Sequence, residues 1–266
     1  MAHRSLSFYW PSYVRTAIQF RNGLDLAWHH YRCKDVPAAV FWDGHRFAMP
    51  PRRAGLVDTV VEIWGSQAYT SKGFYQPKNG DVILDIGANV GAFSLWVARQ
   101  APQARVIALE PSSENFTLLE ANLNGWRNRI VLYQMAVSGT RGTGRIVDGG
   151  RRSIDHRVSV SPGAGDVDGF QVVTLGDVLD LADCRIVDLL KMDIEGAEHD
   201  VFVNASPELL RRFKRIAVEY HDNLRPGTLA LLQERLSATH EIVDVEGSDE
   251  GYGILRARLR GEGRVH

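Results

Sequence analysis

The sequence predicts an α/β fold: a seven-stranded, mostly parallel sheet with helices on both faces, preceded by a helical and hairpin addition at the N-terminus. Three observations predict it. From Val82 onward, short aliphatic runs alternate with helix-period segments, the pattern that builds parallel strands through crossover helices. The first run, Val82-Ile83-Leu84-Asp85-Ile86, passes straight into a glycine turn, Gly87-Ala88-Asn89-Val90-Gly91, that opens a helix. The second, Val106-Ile107-Ala108-Leu109, ends on Glu110-Pro111, 23 residues after Gly87, so two parallel strands each deliver a polar group at the carboxyl edge.

The elements follow in order. With 266 residues and 44% hydrophobic content, the chain supports one good core and leaves a second independent domain cramped. Residues 1–55 therefore read as an extension and 56–266 as the main domain. In residues 1–38, Val14, Ala17, Ile18 and Leu24 suggest a helix, with Arg15, Arg21 and Arg32 on or near its polar side; this segment is a candidate cap for a substrate site or a subunit-pairing surface. The runs flanking Asp43-Gly44 (Ala39–Trp42 and His45–Ala48) give a hairpin. A mixed helical pattern from Leu56 to Tyr69 leads into the first core strand. Helices are expected from Ala92 and from about Glu114 to Asn122, the latter capped by Ser112 or Ser113 and ended by Asn124-Gly125, with a strand at Ile130–Tyr133. Residues 138–169, rich in glycine, arginine and aspartate, break the rhythm and read as a hairpin or lid. The alternation resumes with Gln171–Leu175, Ile186–Met192, a helix after Gly196, Arg215–Glu219, a helix after Pro226, and a closing pair of strands near Glu241–Val245 and Tyr252–Arg258.

Composition excludes several classes. A formal net charge of −1 gives no global attraction for a polyanion, so no nucleic-acid partner is expected. No apolar run approaches the roughly 20 residues of a membrane span, and Met1-Ala2-His3-Arg4-Ser5 does not lead into a signal-peptide core; the expectation is a cytoplasmic protein. Cys33 and Cys184 form no metal or redox spacing and read as reduced thiols.

The glycine turn narrows the ligand. Gly87 and Gly91 permit close backbone approach, and the following helix offers free N–H groups to an anion. A dinucleotide site would use G-x-G-x-x-G, whereas Ala88 and Asn89 stand here. S-adenosylmethionine fits better, with its carboxylate at the turn and its ribose hydroxyls on Glu110. The expected cofactor residues are Asp85, Gly87, Ala88, Asn89, Gly91, Glu110, Pro111, Gln134, Ala136 and Asp193. Asp85 either organises the loop or faces the cofactor amino group, Gln134 is a candidate for adenine, and Ala136 for packing on its ring.

In order, Leu84-Asp85-Ile86-Gly87-Ala88-Asn89-Val90-Gly91, Glu110-Pro111, Met135-Ala136-Val137-Ser138, Thr174-Leu175-Gly176-Asp177 and Leu190-Lys191-Met192-Asp193-Ile194-Glu195-Gly196-Ala197-Glu198 make the chain resemble the FkbM family of S-adenosylmethionine-dependent methyltransferases over about residues 60–221. The K-x-D-x-E-G-A-E block is the discriminating part. The resemblance implies the class I methyltransferase (Rossmann-like) fold and O-methylation of a hydroxyl on a sugar, glycoside, glycolipid or polyketide-type molecule. Where the family has T-L-D, this chain has T-L-G at Gly176, which puts in doubt any role carried over to that position.

Asp193 closes the fourth core strand at the ligand-binding edge, and Glu219 and His221 close the fifth with side chains on one side of the sheet. An alcohol acceptor needs a base; His221 is the first choice for its near-neutral ordinary pKa, Asp193 the alternative and His156 a third. Asp193, Glu219 and His221 are also the set that would hold Mg2+. Lys191 and Glu195 have readings as an ion pair and a helix cap, and His199 reads as solvated. Arg151, Arg152, His156 and Arg157 are candidates for an anionic or sugar substrate. Competing readings are RNA or small-molecule N-methylation, against which the absence of a D-P-P-Y-type block stands, and a non-catalytic S-adenosylmethionine-binding interaction subunit.

Overall fold

A computed structural model describes residues 6–32, 38–48, 56–148, 156–161 and 169–261. Helices α1 (Leu6–Gln19) and α2 (Gly23–Tyr31) precede a hairpin of β1 (Ala38–Val40) and β2 (Arg46–Ala48). Helix α3 (Leu56–Val60) runs into a π-helical turn, Val61–Ser66. The core follows as β3 (Val82–Ile86), α4 (Ala92–Gln100), β4 (Arg105–Leu109), α5 (Ser113–Asn122), β5 (Ile130–Tyr133), β6 (Met135–Val137), β7 (Gly142–Asp148), β8 (His156–Ser161), β9 (Phe170–Val173), α6 (Leu175–Leu181), β10 (Leu189–Met192), α7 (Glu198–Asn204), α8 (Pro207–Leu210), β11 (Arg215–His221), α9 (Thr228–Ser237), β12 (His240–Gly247) and β13 (Tyr252–Leu259).

Seven strands form the main sheet in the order β12-β13-β11-β10-β3-β4-β5, parallel from β11 to β5 and antiparallel where β13 meets β11 and β12. The strand order reverses between β3 and β10. Loops leaving those two strands diverge to opposite faces and open a crevice at their carboxyl ends, where such sheets bind ligands. Alternate side chains divide between two buried clusters. Ile83, Val106 and Ala108 pack with α4 and the extension, while Leu84, Ile86, Ile107 and Leu109 pack with residues of α6, α7 and α9. This is the predicted fold, a Rossmann-like α/β sheet with helices on both faces.

The extension shares the first cluster. Fully buried Trp64 meets Phe20, Phe41 and Phe47 with ring centroids 5.5, 5.8 and 5.5 Å away. These edge contacts tie α1 and the hairpin to the π-turn that precedes the core. Here the sequence reading needs correction. The segment around Val14, Ala17, Ile18 and Leu24 is two helices, and Val14, Ile18 and Leu24 are exposed while Tyr13, Thr16, Phe20 and Leu26 face inward. Two apolar rows run along this segment, and the inward one places Phe20 against Trp64 and Tyr13 against Val57 and Val61. Gly23 permits the second helix to cross close, since a Cβ there would lie 2.4 Å from Thr16 O.

A second correction concerns Gln171–Leu175, expected in the main sheet. Its strand β9 instead lies in a four-stranded sheet ordered β6-β9-β7-β8, beside the cleft. Leu175 starts α6 because Thr174 and Asp177 form a reciprocal capping box, with Asp177 Oδ2 accepting from Thr174 N at 2.9 Å. Since Asp177 does the capping, Gly176 leaves that turn intact. The expected hairpin is present as β7 and β8. Arg151 and Arg152 lie outside the described residues, as does Cys33, and the side chains of His156 and Arg157 lie outside them too. Cys184 is a buried free thiol. Among the described residues no helix is long and apolar enough to cross a membrane.

Candidate active site

Strand β3 delivers Gly87 with φ +76°, and the turn continues through Asn89 (φ 51°) to Gly91 (φ 89°), the residue before α4. All three are left-handed, the conformation for which glycine and asparagine are the least strained choices. Gly87 has a second, steric reason. A Cβ there would stand 1.7 Å from Asp193 O, so a bare backbone is what lets the β3 turn and the end of β10 touch. Gly91 meets Leu119 of α5 in a similar way, with a built Cβ at 2.8 Å from its Cδ1.

Glu110, buried at the end of β4, accepts from Asn89 N at 2.9 Å, Ser112 N at 3.0 Å and Asn115 Nδ2 at 3.3 Å. Burial pushes its pKa up to about 7, and those three donors hold it from rising further. Ile86, Gly87, Asn89, Glu110, Pro111, Asn115, Met135, Ala136, Val137, Asp193, Ile194 and Glu195 line one cleft of about 610 Å³, open to solvent. A bare-backbone glycine turn, a carboxylate at the ribose distance in sequence and the apolar wall of β6 fit S-adenosylmethionine.

Behind the turn, Asp85 is fully buried and outside the cleft lining. It accepts from Ser94 Oγ at 2.7 Å and pairs with Lys191 Nζ at 3.2 Å, and Lys191 also donates to Gly87 O at 2.7 Å. Burial opposes the charge on Lys191, but Asp85 and Asp193 outweigh it and raise its pKa. Of the two readings for Asp85, the geometry matches loop organisation. Lys191 is thus the strut between β3 and β10.

The acceptor side gathers at the ends of β10 and β11. Tyr69, in the loop after the π-turn, is buried with its hydroxyl 2.6 Å from Glu219 Oε2 and 3.2 Å from Asp193 Oδ2. Its ring sits under Lys191 Nζ at 5.2 Å and edge-on to Phe93 at 5.8 Å. Burial first, then Asp193 and Glu62, push the Glu219 pKa well above the usual carboxylate range, and burial with Asp193 pushes Glu62 up to about 7. Glu62 reaches this cluster from the π-turn, a backbone irregularity often found at functional sites.

His221 departs from expectation. Its Nδ1 lies 3.2 Å from Glu198 Oε1 and its Nε2 3.5 Å from Glu195 Oε2. Burial works against its charge, but the Glu198 bond and the charges of Glu198, Asp193 and Glu195 overcome that and push its pKa up to about 10. A ring protonated at neutral pH has no lone pair to take a proton, so the neutral His221 base is not what this geometry provides. Glu198, fully buried, also accepts from Ile194 N and Gly196 N, each at 2.8 Å, and so fixes the turn after Asp193. The expected Mg2+ trio is not assembled, because Glu219 turns to Tyr69. Asp193, Glu195 and His221 do place one ligand atom each within 4.8 Å of one another, a set that could hold a cation in place of the expected one.

The structure therefore brings Gly87, Asn89, Glu110, Pro111, Ala136 and Asp193 to one cleft, and places Glu219 and His221 beside Asp193. Ala88 is buried and bonded to Leu109 O, and Gln134 is exposed, with neither among the lining residues. Sequence reasoning missed Tyr69, Glu62, Asn115 and Ser94. Only Glu62 carried a signal, as a charge inside Val60-Val61-Glu62-Ile63-Trp64.

Fold and cleft together define a class I methyltransferase, with strand order, glycine turn and strand-end carboxylates in their places. A sequence profile described as the Methyltransferase FkbM domain matches residues 85–252, and the chain belongs to that family. It is 28% identical over 212 residues to the AMB antimetabolite synthetase AmbE of Pseudomonas aeruginosa, covering 66% of this chain and only 10% of that protein. It is 27% identical over 190 residues to the 31-O-demethyl-FK506 methyltransferase FkbM of Streptomyces tacrolimicus (60% of this chain, 73% of the relative). With the 2-O-methyltransferase NoeI of Sinorhizobium fredii it shares 29% over 172 residues (58% and 69%). The crystal structure of methyltransferase FkbM from Methylobacillus flagellatus superposes with TM-score 0.54 at 16% identity, covering 96% of this chain and 60% of that one; it bears on the fold alone. The family implies S-adenosylmethionine as methyl donor.

Proposed function

We propose that this methyltransferase acts on a hydroxyl group of a small molecule of the sugar, glycoside or polyketide type, with Asp193 as the base. One observation carries the reading: Asp193 is the residue that both lines the cofactor cleft and touches the buried Tyr69–Glu219 pair. Two relatives with O-methylation in their names support oxygen as the acceptor atom.

S-adenosylmethionine, when bound, supplies an electrophilic methyl group on a sulfonium centre. Everything else falls to the chain. The Gly87–Gly91 turn and Glu110 hold the donor, and the β6 wall excludes water from one side. Asp193 accepts the acceptor hydroxyl's proton as the oxygen takes the methyl group. His221, charged and clamped by Glu195 and Glu198, orients the turn that carries Asp193. Positioning and water exclusion supply the larger share of the acceleration, and the base about 10²–10⁴-fold. The test is native mass spectrometry with S-adenosylmethionine, then a screen of hydroxylated sugars, glycosides and polyketides for a base-stable product heavier by one methyl group on oxygen. A product methylated on nitrogen, or cofactor binding with no turnover across the panel, overturns the reading.

A further inference from the structure

The phenol of Tyr69 stands between two carboxylates, 2.6 Å from Glu219 and 3.2 Å from Asp193, and carries one proton to donate. It cannot serve both at once. When Asp193 is protonated, the only way for all three groups to be satisfied is for Asp193 to donate to the phenol oxygen while the phenol donates to Glu219. We propose that Tyr69 is a proton-relaying positioning residue that makes Asp193 and Glu219 one unit, passing the proton taken at Asp193 on to Glu219.

The proposal rests on the methyltransferase reading above. The step balances: the acceptor O–H bond breaks and an Asp193 O–H bond forms. The Asp193 proton then moves to the Tyr69 oxygen as the Tyr69 proton moves to Glu219 Oε2. Tyr69 ends as it began, Asp193 is again a carboxylate and Glu219 is a neutral acid. Nothing is oxidised or reduced.

Three features suit the unit to this task. The shorter of the two contacts is the one to Glu219, 2.6 Å against 3.2 Å, which makes Glu219 the nearer acceptor for the phenol proton. Burial, then Asp193 and Glu62, raise the Glu219 pKa well above the usual carboxylate range, so its carboxylate takes up a proton readily. The other charges facing the unit are Lys191 from β10, which sits over the Tyr69 ring and pairs with Asp85 of β3, and His221 from β11. Both are cations, and they offset the three clustered carboxylates of Glu62, Asp193 and Glu219.

Tyr69→Phe keeps the ring and removes only the bridge. We expect kcat to fall roughly tenfold to hundredfold, a part of what a general base contributes, with KM and S-adenosylmethionine affinity nearly unchanged. A solvent deuterium effect on kcat that reports more than one proton in motion should drop to a single-proton effect. A readout without cofactor accompanies it. In the apo protein, the infrared band of protonated Glu219, identified by difference against Glu219→Gln, should titrate at higher pH in Tyr69→Phe than in the wild type, because the carboxylate has lost its donor. Should Tyr69→Phe fail to fold by circular dichroism, Glu219→Gln decides: it still accepts from the phenol but cannot take a proton, and kcat should fall to the same degree. Full activity in either folded variant, or a Glu219 titration that Tyr69→Phe leaves in place, overturns the relay. A wild type that methylates nothing in the panel sinks the functional reading instead, while the apo titration still tests the phenol–carboxylate bond.

Discussion

The two walls of the cleft are built in different ways. The donor wall is local backbone: a strand end, a left-handed turn and a carboxylate held by three N–H groups, all from residues 85–115. The acceptor wall is side chain, drawn from the π-turn, the loop after it, β10 and β11, and held by bonds that span 124 and 150 positions of sequence. The first can be recognised in many chains because peptide geometry dictates it. The second depends on the whole fold, because its side chains come from distant positions and each of its charges is set by the others.

That contrast makes separable predictions. Asp193→Asn should reduce kcat by about 10²–10⁴-fold and leave cofactor affinity nearly intact, since it removes the base and keeps the shape. Stopped turnover with weakened cofactor binding would instead place Asp193 on the donor wall. Gly87→Ala strikes a point where the walls touch backbone to backbone. A positive φ costs an L-residue about 1–2 kcal/mol, and the built Cβ clashes with backbone, so a drop of about 2–4 kcal/mol in urea unfolding is expected, with both cofactor affinity and kcat reduced. Glu110→Gln should weaken S-adenosylmethionine binding by about 10–100-fold, the equivalent of a charge-assisted hydrogen bond of about 1.5–3 kcal/mol, read by calorimetry. The smallest effect is on stability. The folded pKa of His221, about 10, is raised above its ordinary 6.5. Its stabilising charge is therefore fully present below pH 6.5 and is lost as pH rises through about 10. The stability deficit of His221→Gln relative to wild type should shrink over that range, and a deficit that does not change with pH would show that packing alone matters there.

How much of this the sequence discloses follows the same division. Val82–Ile86, the glycine turn and Glu110 can be read directly because strand alternation and left-handed glycines are local properties. Asp193 is legible through its place at a strand end. Tyr69 is not, since nothing within ten residues says that its hydroxyl meets Glu219. His221 is legible in place but not in charge state, because Glu198 and Glu195, which protonate it, reach it from another element. The outward row of α1 was mistaken for the inward one for a related reason: both rows are apolar, and only the position of Trp64 decides between them. The role of β9 in a side sheet depends on pairing with β6 and β7, which single-strand patterns do not encode.

The π-turn and Tyr69 precede the stretch shared with the family, residues 85–252. One of the side chains that meet Asp193 therefore comes from ahead of the stretch that the family profile matches. Grafting the shared stretch alone onto another scaffold would carry over the donor wall but leave Asp193 and Glu219 without their bridge, as two bare carboxylates facing each other. The contact of Tyr69 with Asp193 and Glu219 is thus a seam between the segment ahead of the glycine turn and two strand ends, so a cut through that seam separates side chains that touch.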